Sequence, residues 1–152
     1  MHQVVQGLVI RAVDYKEADR MLTVLSAELG KITVGARGVR RKNSHLRAAS
    51  QLFAYSEMTL FESHGRYRLN EAQLTTQNSG LGKSLAYMAL ASYLREVLDT
   101  AAEGDRPHPD VLRLALNALH ASSEGLFDVS AIKAGFELRY AALVGYQPAL
   151  NT

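Results

Sequence analysis

The sequence predicts an α+β protein in which a five-stranded β-barrel is followed by a small α-helical domain. Short segments rich in β-branched and aromatic residues, separated by glycine-containing turns, fill the first half of the chain, and five short strands suit a small barrel. Near Asn78–Gly82 the spacing of the apolar residues changes from two to about 3.6. We therefore predict a strand domain at residues 1–79 and a helical domain at residues 80–152.

The predicted strands are short apolar segments, of which the third and fourth alternate clearly between two faces. In order they are His2–Val13, Met21–Leu29, Lys31–Ala36, Gln51–Glu62 and Tyr67–Thr75. The second is ambiguous, because its apolar residues also fit helical spacing. Leu29-Gly30-Lys31 and Ser63-His64-Gly65-Arg66 are predicted turns, and Arg37–Ser50 lacks periodicity, which indicates a loop.

Three amphipathic helices are predicted in the second half. Their apolar stripes run through Leu85–Leu98, Leu112–Leu119 and Ile132–Leu143. The segment Gly104–Pro109 ends the first helix, and Gly125 ends the second. Asp128 or Ser130 can cap the third, which ends near Gly145.

Composition excludes several classes of protein. The chain has 152 residues, of which 47% are hydrophobic and 21% charged, so it can bury a core. It contains no Cys, which excludes disulfides, thiolate zinc sites and cysteine nucleophiles within these residues. Arg11 and Asp14 interrupt the N-terminal apolar stretch, and no apolar run reaches the roughly 20 residues of a membrane span. We expect neither a signal peptide nor a membrane segment.

A run of cations without counter-charge is the strongest functional signal. Residues 31–47 contain six Lys or Arg and no Asp or Glu. Since these charges have no neutralising neighbour in the sequence, they predict a positive patch that attracts a phosphate backbone. The alternative is a solvated, mobile loop. The predicted DNA-binding residues are Arg37, Arg40, Arg41, Lys42 and Arg47, with Lys31 and Arg11 as weaker candidates.

Aromatic residues lie close to this run in the sequence. Phe53, Tyr55 and Phe61 belong to the predicted fourth strand and Tyr67 to the fifth. Aromatic rings beside a basic groove suit stacking on the bases of single strands. Packing in the barrel core is the more common role of such residues.

Other motifs give weaker signals. Asp14, Glu17 and Asp19 could bind a divalent cation, but a polar turn or an ion pair with Arg20 explains them more simply. No His residues stand at metal-ligand spacing, and no Ser lies in a Gly-x-Ser-x-Gly motif. We expect no catalytic residue and no metal site.

The segment Gly80-Leu81-Gly82-Lys83-Ser84 ends like a Walker A loop. That loop also requires a glycine where this chain has Gln77. We interpret the segment as a linker and helix start.

Several longer motifs resemble those of the bacterial DNA repair protein RecO family. They are Gly7-Leu8-Val9-Ile10-Arg11, Asp14-Tyr15, Glu17, Asp19-Arg20, Gly30-Lys31, Gly35-Ala36-Arg37-Gly38-Val39-Arg40-Arg41, Leu46-Arg47, Leu52-Phe53, Phe136-Glu137-Leu138-Arg139 and Leu143-Val144-Gly145-Tyr146. The segment from Asp14 to Arg47 is the most specific, and the helical half matches more loosely.

The resemblance implies an OB-fold barrel followed by a helical domain. It implies a non-enzymatic mediator that binds single- and double-stranded DNA and anneals complementary strands. Further implied partners are RecR and the C-terminal tail of single-stranded DNA-binding protein, with a functional link to RecA during recombinational repair. The implied location is the bacterial cytoplasm, at the nucleoid.

One departure concerns zinc. In the family, a segment like Gly145-Tyr146-Gln147-Pro148 leads into a four-cysteine zinc module, whereas this sequence has no Cys. We expect no cofactor in this chain, which either is a fragment or lacks the module.

Three alternatives remain open. The helices could form a peptide-binding module for the tail of single-stranded DNA-binding protein, with the basic patch only steering the approach. An RNA-binding barrel would differ only in its ligand. A nuclease, the weakest alternative, would need a metal-binding carboxylate cluster.

Overall fold

The structure, a computed structural model, describes residues 1–101 and 107–145. These residues fall into two compact units. One lies within Met1–Gln77 and Asp99–His108, and the other within Asn78–Leu98 and Pro109–Thr152. Among the described residues, no helix combines the length and apolar character needed to cross a bilayer.

Five strands close into a barrel in the first unit. They are β1 (His2–Tyr15), β2 (Asp19–Ser26), β3 (Gly30–Ala36), β4 (Tyr55–Ser63) and β5 (Arg66–Thr76). Their order around the barrel is β1-β2-β3-β5-β4, and β3 and β5 pair in parallel while the other pairs are antiparallel. A five-stranded Greek-key barrel of this kind is the OB-fold. The predicted fold class, a barrel followed by helices, is therefore confirmed.

Two strand predictions need correction or completion. The ambiguous segment Met21–Leu29 is a strand only as far as Ser26, and a turn at residues 27–29 leads into β3. The predicted strand Gln51–Glu62 begins later, at Tyr55, because Phe53 has a left-handed backbone with φ of 69°. A strand cannot continue through that conformation.

Strand β1 is long enough to pair with β2 along one part and with β4 along another. At Gly7 it pairs with both neighbours, opposite Ser26 and Ser56. A Cβ atom at Gly7 would lie 2.6 Å from Val24 Cγ1 and 3.2 Å from Met58 Sδ. Glycine is therefore required here so that the strands can approach closely over the core.

The core of the barrel is built from alternate residues of every strand. In β4 the buried side chains are Ser56, Met58 and Leu60, which leaves Tyr55, Glu57, Thr59 and Phe61 on the outer side. The connection between β3 and β4, residues 37–54, also contributes to this core through Val39, Leu46 and Ala54. We call residues 37–54 the basic connection. It is a series of turns rather than a regular element, and its buried residues fix it against the barrel.

The second unit contains three helices, except that the end of the first helix, from Asp99 on, belongs to the first unit. They are α1 (Leu85–Ala101), α2 (Pro109–Glu124) and α3 (Val129–Tyr140), with a 3-10 helix at Ser79–Lys83 before α1 and a π-helical turn at Ala141–Gly145 after α3. The predicted end of α1 falls partly on residues 104–106, which lie outside the described residues. Of the predicted third stripe, Ile132 and Phe136 are buried, whereas Leu143 is exposed.

Local chemistry at the helix ends agrees with the sequence. The Asp128 side chain accepts a hydrogen bond from Ala131 N at 2.7 Å and so caps α3. Gly125 has φ of 64° after α2, a conformation that glycine adopts without strain. Gly80, in the segment that resembles a Walker A loop, donates its N–H to Ser123 Oγ. This contact supports the interpretation of that segment as a linker.

Candidate nucleic-acid interface

The outer face of the barrel is lined by cations because of strand alternation. Lys31, Thr33 and Gly35 occupy alternate positions of β3, and Arg37 continues this alternation directly after the strand, while Val34 and Ala36 between them are buried. Residues two apart on a strand project from the same face. The alternation therefore places Lys31 of β3, and Arg37 just after it, on the outside.

A groove lies across this outer face, with a volume of about 1120 Å³. It runs over β2, β3 and the start of β5, between the β1–β2 turn (residues 16–18) and the β4–β5 turn (residues 64–65). The charged residues that line it are six cations and one carboxylate: Lys16, Arg20, Lys31, Arg37, Arg66, Arg68 and Asp19. We call it the basic groove. In OB-folds the β2–β3 face with the β1–β2 and β4–β5 loops is where oligonucleotides bind.

Four of the groove cations are available to a ligand. Within residues 1–101 and 107–145, no ion pair involves Lys16, Arg37, Arg66 or Arg68. Arg68 lies over the ring of Phe61 at 5.3 Å from its centroid, which positions the guanidinium by a cation–π contact without neutralising it.

Aromatic side chains also line the basic groove. They are Tyr15, Phe61 and Tyr67. Tyr15 is 48% exposed, and Tyr67 packs partly against the barrel core. The other aromatic residues of the sequence prediction lie elsewhere: Phe53 is buried, and burial, followed by the nearby Glu28, raises the pKa of the half-buried Tyr55. Of the predicted aromatic residues, Phe61 and Tyr67 therefore offer surfaces for stacking. Tyr15 offers another, although it was not among the predicted residues.

The basic connection carries the other predicted DNA-binding residues. Arg41, Lys42 and Arg47 are exposed, and no ion pair among the described residues holds them. Arg37 stands where the connection meets the basic groove and lines the groove. The connection itself is ordered by turn hydrogen bonds, such as those from Arg41 N to Gly38 O and from Ser44 N to Arg41 O, both 3.1 Å.

Arg40 differs from its neighbours because it is engaged with the protein. Its Nε lies 3.5 Å from Asp14 Oδ1, its Nη1 donates to Lys16 O at 3.2 Å, and its backbone N donates to Ala18 O at 2.9 Å. Asp19 Oδ1 accepts a further hydrogen bond from Gly38 N at 2.8 Å. These contacts attach the basic connection to the β1–β2 turn, so the cations of the connection and the groove meet there.

The two weaker candidates have different surroundings. Lys31 Nζ lies 3.1 Å from Asp99 Oδ1, and both residues belong to the first unit. Its charge is therefore partly neutralised. Arg11 is exposed on β1 opposite Thr23, and it is not among the residues that line the basic groove.

Sequence reasoning missed Lys16, Arg66 and Arg68. The last two flank Tyr67 at alternate positions of β5, a spacing that places both on one face. The parallel pairing of Gly35 with Arg68 brings that face beside β3. The alternation of Arg66 and Arg68 can be recognised in the sequence, but the pairing of β5 with β3 cannot.

Of the acidic residues near the end of β1, Asp14 pairs with the protein's own cations. Asp14 Oδ1 lies 3.2 Å from Arg20 Nε, which is the ion pair that the sequence suggested. Among the described residues, no three His, Asp or Glu side chains converge to hold a metal ion. The four-cysteine zinc module that the resemblance implies has no ligands in this chain, which contains no Cys.

The helical unit contains a smaller pocket of about 380 Å³. It lies between α2 and the segment formed by the end of α3 and the following turn. Leu114, Ala142 and Leu143 supply its apolar lining, and Arg113 and Arg139 supply positive charge. Asp110 is the acidic residue that lines it. An apolar pocket with two guanidiniums suits an apolar side chain that carries a neighbouring carboxylate.

Comparisons with known proteins agree with this architecture. The family model "Recombination protein O N terminal" matches residues 1–78, and "Recombination protein O C terminal" matches residues 82–152. Proteins named DNA repair protein RecO are similar over 146 residues, or 96% of this chain: those of Bacillus subtilis strain 168 at 32% identity, Bacillus pumilus at 33% and Exiguobacterium sibiricum at 36%. The chain spans 57% of the length of the two Bacillus relatives and 58% of the third. With both of its parts matched by models of one family, the chain belongs to the Recombination protein O family of DNA repair proteins.

Proposed function

We propose that this protein is a DNA-binding recombination mediator that acts without catalysing a reaction. It binds single- and double-stranded DNA, anneals complementary strands, and helps to load recombinase on coated single strands during recombinational repair. The observation that supports this most directly is the basic groove, in which four cations without an ion-pair partner among the described residues stand beside aromatic rings. This activity places the protein on chromosomal DNA in a bacterial cytoplasm.

The mechanism is electrostatic. A single strand lies in the basic groove, where cations contact phosphates and aromatic rings stack on bases. The exposed cations of the basic connection contact further phosphates of the same strand, and this neutralisation lowers its repulsion of a second strand. Base pairing then selects the partner strand, so the protein itself needs no sequence preference, because phosphate contacts carry no base information.

The proposed partners are those that the resemblance implies. RecR and single-stranded DNA-binding protein are the proposed protein partners, and RecA is the recombinase that is loaded. The proposal includes no cofactor bound to this chain. The proposed order is that the protein reaches coated DNA through a protein contact and then engages the strand through its barrel.

A titration of fluorescently labelled oligothymidylate at several salt concentrations tests the DNA proposal. Seven cations, four in the groove and three in the connection, have no ion-pair partner in the described part of the chain. They predict that log K falls with log[salt] at a slope of about −5 for single strands. Changing Arg66 and Arg68 to Ala should flatten the slope by about 1.4, and so should changing Arg41 and Arg47 to Ala.

The matched control removes two cations from the helical unit. Replacing Arg95 and Lys133 by Ala deletes the same charge as the groove variant, and neither residue lines the groove. Its slope should equal that of the unaltered protein. If all double variants flatten the slope equally, binding reflects net charge and the proposed interface is wrong. Annealing rates of complementary strands, measured with the same variants, should fall only in the two barrel variants.

A second candidate function is favoured by the pocket beside α2 and α3. The resemblance implies recognition of the tail of single-stranded DNA-binding protein, and we propose that an acidic tail with an apolar C-terminal residue occupies this pocket. Arg113 and Arg139 would meet its carboxylates, and Leu114 and Leu143 its apolar side chain. The helices would then be a protein-interaction module, whether or not the barrel binds DNA.

Peptide binding separates the two candidates. A labelled peptide of several Asp residues with an apolar C-terminus should bind the unaltered protein and the Arg66, Arg68 double Ala variant equally. It should bind Arg139→Ala at least tenfold more weakly, because a charge-assisted hydrogen bond is lost. Equal binding by Arg139→Ala would exclude the pocket, and loss of binding in the groove variant would place the peptide on the barrel.

A further inference from the structure

Asp14 holds two arginine guanidiniums on one carboxylate oxygen. Its Oδ1 lies 3.2 Å from Arg20 Nε and 3.5 Å from Arg40 Nε. The three residues come from β1, β2 and the basic connection, so three separate segments meet at this point. The Arg20 and Arg40 side chains are only 21% and 31% exposed, whereas the Asp14 side chain is 60% exposed. The acceptor is thus the accessible member of the group.

Both guanidiniums have other partners that fix their positions. Arg20 Nη1 lies 3.4 Å from Ser50 Oγ and 3.5 Å from Ser50 O, and Arg40 Nη1 donates to Lys16 O at 3.2 Å. Because these contacts do not involve Asp14, the two guanidiniums can keep their places when its carboxylate turns away. The site for an oxyanion is therefore built by the protein in advance.

We propose that this is a phosphate site of the nucleic-acid interface and that Asp14 is an internal competitor for it. Two guanidiniums directed at one oxygen are an arrangement that binds phosphate strongly, since each bond is charge-assisted. When a strand binds, a backbone phosphate oxygen competes with Oδ1 for the two guanidiniums, and in the unaltered protein the Asp14 carboxylate keeps them for most of the time. The inference rests on the proposed function, because it assigns one phosphate of the same bound strand.

The position of the site supports this assignment. Arg20 and Lys16 line the basic groove, while Arg40 belongs to the basic connection. A phosphate between the two guanidiniums would lie where these two surfaces join. Asp14 weakens the binding of any strand that crosses this junction, since its negative charge must be left without its partners. A moderate affinity for DNA allows the annealed product to dissociate from the protein, as a mediator requires.

The test compares Asp14→Asn with Glu17→Gln in the salt titration of labelled oligothymidylate. Glu17 is exposed in the adjoining turn, and no ion pair among the described residues involves it. Asp14→Asn should steepen the slope of log K against log[salt] by about 0.7 and tighten binding about fivefold at 0.1 M salt. Glu17→Gln removes the same charge without releasing a guanidinium, and its slope should stay unchanged.

A double variant tests whether the Arg40 guanidinium binds the additional phosphate. Adding Arg40→Ala to Asp14→Asn should abolish the gain, because residues that act together show non-additive effects. Asp14→Ala provides an independent removal of the carboxylate, and thermal unfolding shows that each variant remains folded.

Each outcome has one meaning. An Asp14→Asn slope equal to that of Glu17→Gln overturns the proposal, as does weaker binding by a folded Asp14→Asn, which would make Asp14 a support for the arginines. Failure of the unaltered protein to bind in a salt-dependent way would instead contradict the proposed function itself.

Discussion

Replacing Tyr15 by Leu should weaken the binding of single-stranded DNA and leave that of double-stranded DNA unchanged. Tyr15 lines the basic groove at the end of β1 and is 48% exposed. The Lys16 ammonium lies 5.4 Å from the centroid of its ring, so a base that stacks on the ring is next to a cation for its phosphate. Leu keeps an apolar side chain of moderate size but removes the flat aromatic face.

The expected loss follows from the exposure of the ring. Stacking of a base on an aromatic side chain contributes about 1–3 kcal/mol. Since only half of the Tyr15 surface is accessible, we expect the lower end, about 1 kcal/mol, or roughly a fivefold weaker affinity. The formal charge does not change, so the salt slope should stay the same. Bases in a duplex are already stacked on one another and cannot use the ring.

Fluorescence anisotropy measures both the affinity and its dependence on salt. The ligands are an oligothymidylate and a duplex of equal length, each at two salt concentrations. Val13→Ala is the control, because Val13 is exposed on the same face of β1 two residues earlier and does not line the groove. An equal loss of affinity for the duplex would refute the stacking role. A flatter salt slope in Tyr15→Leu would show that the substitution had displaced a cation instead.

Three further predictions concern stability and can be measured by denaturant unfolding. Gly7→Ala should destabilise the protein by about 1–3 kcal/mol, because its Cβ would lie 2.6 Å from Val24 Cγ1; an unchanged midpoint would contradict this. Asp128→Ala removes the N-cap of α3 and should lower the free energy of unfolding by about 1 kcal/mol. Asp128→Asn should retain most of the stabilisation by the cap. The hydrogen bond to Glu137, and then burial, raises the pKa of Tyr93 above 10. Because the folded state favours the neutral phenol, this stabilisation is present below pH 10 and is lost as the pH rises through the raised pKa. Tyr93→Phe should therefore show a shallower loss of stability above pH 10, and identical pH profiles would disprove the coupling.

The barrel could be predicted from the sequence because its signals are local. Alternation within each strand, and turns such as His64-Gly65, where both residues have positive φ, are set by neighbouring residues. The predicted start of β4 is too early because Leu52 and Phe53 continue the apolar pattern while the backbone turns at Phe53. Apolar patterning reports burial, and a buried turn residue has the same pattern as a buried strand residue.

The candidate site could be predicted only in part, because ion pairs join residues that are far apart in the sequence. The run at residues 31–47 has no acidic residue, which correctly indicates a basic surface. It does not reveal that Asp14 contacts Arg40, or that Asp99, 68 positions away, contacts Lys31. Arg66 and Arg68 could not be assigned to the groove for the same reason, because the parallel pairing of β3 with β5 joins residues that are far apart in the sequence.

The buried residues of the basic connection order the backbone that carries its exposed cations. Val39 and Leu46 belong to the barrel core, and Arg40 attaches the connection to the β1–β2 turn. The exposed cations between these anchors are therefore displayed from a backbone that is already ordered. Ordering a loop costs conformational entropy when a ligand binds, and here folding has largely met that cost. In the proposed function most contacts are to phosphates and each gains little energy, so preorganisation of the connection and of the groove would allow many weak contacts to add up to DNA binding.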